Sequence, residues 1–182
     1  MIESNSGSII VLSTKIMIMD KISKVRNTLM WITEILNKMN IPYQVTGGLA
    51  AKCYGSTRDL HDIDIYVPNE SISKLEQRLD RYLKFGLEHY RDENWDIVFM
   101  KLHYNGQQIE FGDADSAKYF DSQSQEWIKE EIIFEKSVLI EFEGIELAVM
   151  PKQQLIDYKQ KLNRSVDQMD IKEIQKDNQI TS

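Results

Sequence analysis

The chain has 182 residues, enough for one ordinary domain, and its 42% hydrophobic and 28% charged content supports a buried core. That composition excludes collagen-like, disordered and disulfide-scaffold classes, and a net charge of −7 argues against a general binder of DNA or RNA, which needs a basic face against phosphate. The one cysteine, Cys53, can form no internal disulfide and suits a reducing cytoplasm.

The first apolar run, Ile9 to Met19, contains Lys15 and falls far short of the roughly 20 apolar residues that span a membrane. It has no basic segment before it and no small-residue cleavage site after it, so a secretory signal is not expected. Residues 1–19 read as an N-terminal extension or a short strand. From Asp20, a plausible N-cap, apolar residues at Ile22, Val25, Leu29, Ile32, Ile35, Leu36 and Met39 have helical spacing, and Asn40 and Pro42 end the helix. Tyr43 to Thr46 reads as a strand broken by Gly47-Gly48. Leu49 to Tyr54 reads as a short helix stopped by Gly55.

A polar loop follows, and then Asp62 to Val67 alternates as a strand closed by Pro68. A second long helix buries Ile72, Leu75, Leu79, Tyr82 and Leu83 and ends at Gly86. Asn105-Gly106 is a strong hairpin signal between Trp95–Tyr104 and Gln107–Phe111. Asp113 to Gln125 reads as a polar loop or helical turn. Val138–Phe142 and Ile145–Val149 form a second hairpin around Glu143-Gly144. Pro151 opens a last helix through Ile171, and residues 177–182 read as a frayed tail. Residues 20–176 are therefore expected to form one α+β domain with a mixed sheet flanked by helices and a short C-terminal helical segment.

The chemistry concentrates between Val45 and Ile65. Residues two apart on a strand share a face, so Asp62 and Asp64 project together while Ile63, Ile65 and Val67 face the core. Asp is disfavoured in strands, and paired like charges cost energy that a divalent cation removes. Mg²⁺ takes one or two carboxylates and completes its octahedron with waters and substrate phosphates. A strand, two glycines and a helix present backbone N–H groups to a phosphate. Arg58, in the loop between, can reach a phosphate or pair with Asp59. Taken singly, these signals are as well explained by a solvated strand face, a tight turn and a surface ion pair.

Together, Val45-Thr46-Gly47-Gly48, Arg58 and Asp62-Ile63-Asp64-Ile65 resemble the nucleotidyltransferase superfamily, including the lincosamide and aminoglycoside nucleotidyltransferases. The resemblance implies a nucleotidyltransferase-like mixed sheet. It implies Asp62 and Asp64 as metal ligands for two Mg²⁺ ions, with Mn²⁺ as a substitute, and a later carboxylate as a third ligand or base. Glu110 fits that place, with Asp96 and Asp113 as alternatives. It implies Gly47, Gly48, Arg58 and Lys159 at the nucleotide phosphates. Arg164 with Asp167 or Asp170 reads instead as a pin for the C-terminal helix. Where the family often has serine after the first glycine, this chain has Gly48, and no large C-terminal domain for the acceptor is apparent.

The implied activity is Mg²⁺-dependent transfer of a nucleoside monophosphate from a nucleoside triphosphate such as ATP to a hydroxyl of a small molecule or protein, in the cytoplasm. The acidic net charge favours a cationic acceptor. A non-catalytic nucleotide sensor or toxin–antitoxin partner that keeps the fold is the alternative. His61, His89 and His103 lack a zinc-ligand spacing, His61 reads as a loop residue rather than a base, and Cys53 as a packing residue.

Overall fold

In the computed structural model, which describes residues 6–176, the chain opens with a single long helix, α1, Ser6–Lys38. The stretch expected as an extension or short strand is helical from Ser6, and Asp20 lies within the helix rather than capping it. No glycine or proline interrupts the chain from Ser8 to Asn40, so a helix once nucleated propagates through it. Asn40 takes a positive φ of 52° just after the helix, as a terminating Asn does.

Strand β1 (Gln44–Thr46) leads into helix α2 (Gly47–Cys53), and β2 (Asp62–Val67) follows. Helix α3 (Asn69–Leu79) buries Ile72, Leu75 and Leu79. It stops before Tyr82 and Leu83, which had read as part of its stripe. A single 3₁₀ turn at Asp80–Tyr82 hands over to strand β3, Leu83–Arg91, which runs through Gly86. The glycine marks an irregular register between Leu83 and Glu88. Glu76 packs there and accepts a hydrogen bond from the Leu87 N–H at 2.6 Å.

Strands β4 (Trp95–Tyr104) and β5 (Gln107–Asp113) flank Asn105 and Gly106, both at positive φ as a two-residue hairpin turn requires. The polar stretch after Asp113 forms a small hairpin, β6 (Lys118–Asp121) and β7 (Glu126–Lys129), rather than a loop or helical turn. The Asp121 carboxylate accepts from the Gln123 and Ser124 N–H groups at its turn. Strands β8 (Val138–Phe142) and β9 (Ile145–Val149) form the second hairpin as expected. The last helix is two: α4 (Lys152–Leu162) and α5 (Ser165–Lys176), broken at Asn163 in the left-handed conformation. The expected frayed tail, 177–182, lies outside the described residues, as do residues 1–5.

Among the described residues nine strands join one mixed sheet in the order β7-β6-β4-β5-β2-β1-β9-β8, with β3 paired to β4 off this path. Strand β2 is antiparallel to β1 and parallel to β5, and β1 is parallel to β9. The centre of the sheet buries Val45, Ile63, Ile65, Val67, Ile109, Phe111, Leu147 and Val149 with Leu29, Ile32 and Leu36 of α1. Helix α2 touches β1, β2, α4 and α5, and so ties the glycine turn to the C-terminal helices. The fold is α+β. Among the described residues no helix is long and apolar enough to cross a membrane.

Candidate active site

The centre of the sheet arranges one row of side chains across four strands. Thr46 of β1 pairs with Asp64 of β2, Asp64 with Glu110 of β5, and Glu110 with Lys101 of β4. Adjacent strands lie about 4.8 Å apart, so these groups are close neighbours. Asp62 lies two residues before Asp64 on the same face, while Ile63 and Ile65 between and beyond them are buried. All five line a cavity of about 460 Å³ together with Gly47, Gly48, Arg58 and Lys159. The first-choice residues for metal and phosphate therefore line one cleft, and the alternatives Asp96 and Asp113 do not.

The two glycines have separate reasons to be glycine. Gly47 opens α2 at φ +61°, and a Cβ there would overlap the Asp64 carboxylate Oδ2. A Cβ on Gly48 would sit 2.8 Å from Nη2 of Arg58. The space left by the missing Gly48 side chain is taken by a guanidinium.

Asp64 is half-buried at the base of the cleft. Burial first, and then the neighbouring Asp62 and Glu110 charges, push its carboxyl up to about 8, against the opposing pull of Lys159 and the Gly48 N–H. Glu110 is already engaged: Lys101 Nζ is 2.9 Å from its Oε1, and Gln108 Nε2 donates to the same oxygen at 2.8 Å. Asp96 and Asp113 stand elsewhere. Asp96 faces His89 at 2.6 Å with Arg91 and Lys118 beyond, and buried Asp113 accepts from Asn69 and from the Asp115 N–H. Among the described residues no three His, Cys, Asp or Glu side chains are close enough to ligate one ion. The Asp62–Asp64 pair is thus the donor set that suits a divalent cation: two carboxylates on one strand face, one of them strained by burial and by its neighbours' charge.

Lys159 does not offer its ammonium to the cleft as expected. It is 2% exposed, and its Nζ donates to Asp167 and Asp170, each at 3.0 Å. Burial alone would favour the neutral amine. The Tyr158 phenol and the two aspartates outweigh it and hold Lys159 above the usual lysine range. Arg58 does not use Asp59's carboxylate. Its Nε and Nη2 donate to the two Asp170 oxygens at 3.1 and 3.2 Å, and only its Nη1 reaches the Asp59 carbonyl. Arg164 does pin the C-terminal helix as expected, donating to Asp167 from Nε at 2.7 Å and Nη2 at 3.1 Å.

Most of the other lining residues carry no chemical signal in the sequence. Trp95, Ile97, Phe99 and Lys101 alternate along β4 onto the cleft face, and Tyr90, Asp92, Tyr158 and Arg164 complete the walls. Period-two alternation in β4 could have identified the first four. The chain's acidity is not concentrated here: Asp62, Asp64, Asp92 and Glu110 share the lining with Arg58, Lys101, Lys159 and Arg164. His61 lines the rim, exposed, and its carbonyl accepts from Gln107 at 2.9 Å. Burial pushes the Cys53 thiol up to about 12, so it is an unreactive packing group.

The structure is similar to three solved proteins, each far enough in sequence that the likeness shows the fold. A Thermotoga maritima protein assigned as a nucleotidyltransferase is 18% identical, with a TM-score of 0.61 over 79% of this chain and 89% of that one. The lincomycin-bound lincosamide adenylyltransferase LnuA is 14% identical, with a TM-score of 0.55 over 81% and 94%. ANT(2'')-Ia, in complex with adenylyl-2''-tobramycin, is 14% identical, with a TM-score of 0.53 over 82% and 87%. A search of curated protein sequences finds no match. The sequence model of aminoglycoside-2''-adenylyltransferase matches residues 28–174, from the middle of α1 to the last turns of α5 and across the whole cleft, and the chain therefore belongs to that nucleotidyltransferase family.

Proposed function

We propose that the protein transfers a nucleoside monophosphate, from ATP or another nucleoside triphosphate, to a hydroxyl of a small molecule in a Mg²⁺-dependent reaction. The observation that carries this reading is the Asp62–Asp64 pair beneath the Gly47-Gly48 turn, with Asp64 strained in a way a cation would relieve. Asp62 and Asp64 would hold the divalent metal. When bound, the ion supplies charge to the α-phosphate and to the departing pyrophosphate.

The chain's own groups do the rest. The Gly47-Gly48 turn and Arg58 seat the phosphates. Glu110 takes the proton as the acceptor oxygen bonds to the α-phosphorus and the bond to the β-phosphate oxygen breaks. Lys101 and Gln108 hold Glu110 in position for that transfer. The acceptor's body rests on the wall of Trp95, Ile97 and Phe99. The family is that of aminoglycoside-2''-adenylyltransferase, LnuA is a lincosamide antibiotic adenylyltransferase and ANT(2'')-Ia binds adenylyl-2''-tobramycin, and an antibiotic-sized molecule with a free hydroxyl suits such a cleft. The mixed charge of the lining weakens the case for a strongly cationic acceptor made from net charge alone. A reaction that consumes nucleoside triphosphates suits a cytoplasmic protein.

The test is incubation with each labelled triphosphate, Mg²⁺ and a panel of hydroxylated antibiotics, reading pyrophosphate release and the mass of the product. The expected result is an acceptor gaining one nucleoside monophosphate only when metal is present. No measurable transfer from any triphosphate across the acceptor panel would favour the non-catalytic nucleotide sensor or partner protein instead.

A further inference from the structure

Five charged side chains run in series behind the cleft wall: Arg58, Asp170, Lys159, Asp167 and Arg164. Each link is short. Arg58 forks onto Asp170, Lys159 bridges Asp170 and Asp167 at 3.0 Å each, and Arg164 forks onto Asp167 at 2.7 and 3.1 Å. The two aspartates are fully buried and Lys159 nearly so, while the two guanidiniums are partly open. Ser56 adds a 2.9 Å hydrogen bond to Asp170. Three cations face two anions, so the series carries one net positive charge in a poorly solvated place, and both ends of it line the cavity. The surplus falls to the two partly open guanidiniums, on the cavity side of the series.

The ends are equipped to receive an anion. Arg164 spends Nε and Nη2 on Asp167, and among the described residues its Nη1 donates to nothing. Arg58 spends Nε and Nη2 on Asp170 and one Nη1 N–H on the Asp59 carbonyl, and its guanidinium lies against Gly48. A guanidinium held along one edge by a carboxylate presents its remaining N–H groups in a fixed direction, which favours phosphate over a mobile lysine. Each arm also flanks the carboxylate pair: Arg58 feels the charge of Asp62, and Arg164 that of Asp64.

We propose that Arg58 and Arg164 form a two-armed clamp on the polyphosphate of the nucleotide, with Asp170 and Asp167 as positioning residues and Lys159 as the buried tie between them. The proposal rests on the nucleotidyl-transfer reading and adds to it. It gives Arg164 a contact with the nucleotide, and it moves Lys159 from ligand to scaffold.

The experiment titrates wild type and Arg164→Gln with Mg²⁺-ATP, with Mg²⁺-pyrophosphate and with adenosine, and follows urea unfolding of both. Asp167 keeps Lys159 in the variant, so the fold should persist. The expected result is an affinity for ATP and pyrophosphate about tenfold weaker or more, as for one lost charge-assisted hydrogen bond, with adenosine binding little changed. Asp167→Asn should weaken ATP in the same selective way, and Asp167→Glu should restore part of it. Independently, phenylglyoxal labelling of the wild type should modify Arg164 less when Mg²⁺-ATP is present. Unchanged ATP affinity in Arg164→Gln, equal losses for ATP and adenosine, or Arg164 labelled equally with and without ATP would each overturn the clamp while leaving the nucleotide reading intact. A wild type that binds no triphosphate overturns both.

Discussion

Gly47 shows how much a single position decides. Its φ of +61° and the Asp64 carboxylate against its missing Cβ leave no room for any other residue. Gly47→Ala should lose about 1–3 kcal/mol of stability from the backbone alone, read as a shift in urea midpoint, and should displace Asp64. Gly48→Ser should be milder, because Gly48 has no positive φ and the atom it meets is a side-chain nitrogen of Arg58, which can shift where the Asp64 carboxylate against Gly47 overlaps outright. Equal destabilisation by the two substitutions would contradict this account. Glu130 gives a pH-dependent counterpart. It is 4% exposed, its Oε2 has no hydrogen-bond partner among the described residues, and burial pushes its carboxyl up to about 7 despite a hydrogen bond from Gln154. The folded value lies above the unfolded one, so its contribution is fully present below about pH 4.5 and is lost as pH rises through about 7. Glu130→Gln should therefore gain stability relative to wild type on going from pH 4.5 to pH 8, by up to about 3 kcal/mol. A difference in unfolding free energy independent of pH would rule this out. The aspartate pair was legible in the sequence because its spacing matches the strand period and its residue type defies strand propensity. Lys159 was legible as a residue of the site but not in its role, because its partners, Asp167 and Asp170, lie across a helix break that only the folded chain brings round.

Helix α4 packs through Leu155, Ile156, Tyr158 and Leu162, whereas α5 is tied to the cleft largely by charge. Asp170 of α5 accepts from Ser56, Arg58 and Lys159, and Glu173 accepts from the Thr57 N–H at 2.7 Å. Removing one member of such a buried set strands the others. Asp170→Ala should cost about 3–5 kcal/mol, measured by urea unfolding, and a loss below 1 kcal/mol would show that water reaches the network. The hairpins around Asn105-Gly106 and Glu143-Gly144 were readable because both central residues of each need positive φ, and these residue pairs supply it. Strands β3, β6 and β7 were not. They lie outside the sheet centre, their residues are polar or interrupted by Gly86, and pairing to β4 and to each other, rather than local propensity, makes them strands. The break between α4 and α5 was missed because Asn163, not glycine or proline, supplies the left-handed turn.

For the molecule as a whole, net charge was a poor guide to the cleft. The chain carries −7, yet the cavity lining is balanced and its open wall is aromatic. The surplus acid lies elsewhere, and the sheet topology explains the separation. Placing β2 between β1 and β5 brings the glycine turn, the aspartates and Glu110 to one face, while β4 supplies Lys101, the loop before β2 supplies Arg58, and the C-terminal segment supplies Lys159 and Arg164. Function in this reading belongs to that convergence and not to composition. The most direct test of it needs no acceptor: Mn²⁺ binding in the presence of a non-hydrolysable ATP analogue, followed by paramagnetic resonance, for wild type and for Asp64→Asn. The account predicts saturable Mn²⁺ binding by the wild type that the analogue strengthens, and binding about tenfold weaker or more in Asp64→Asn. Equal Mn²⁺ affinity in the two proteins would contradict it.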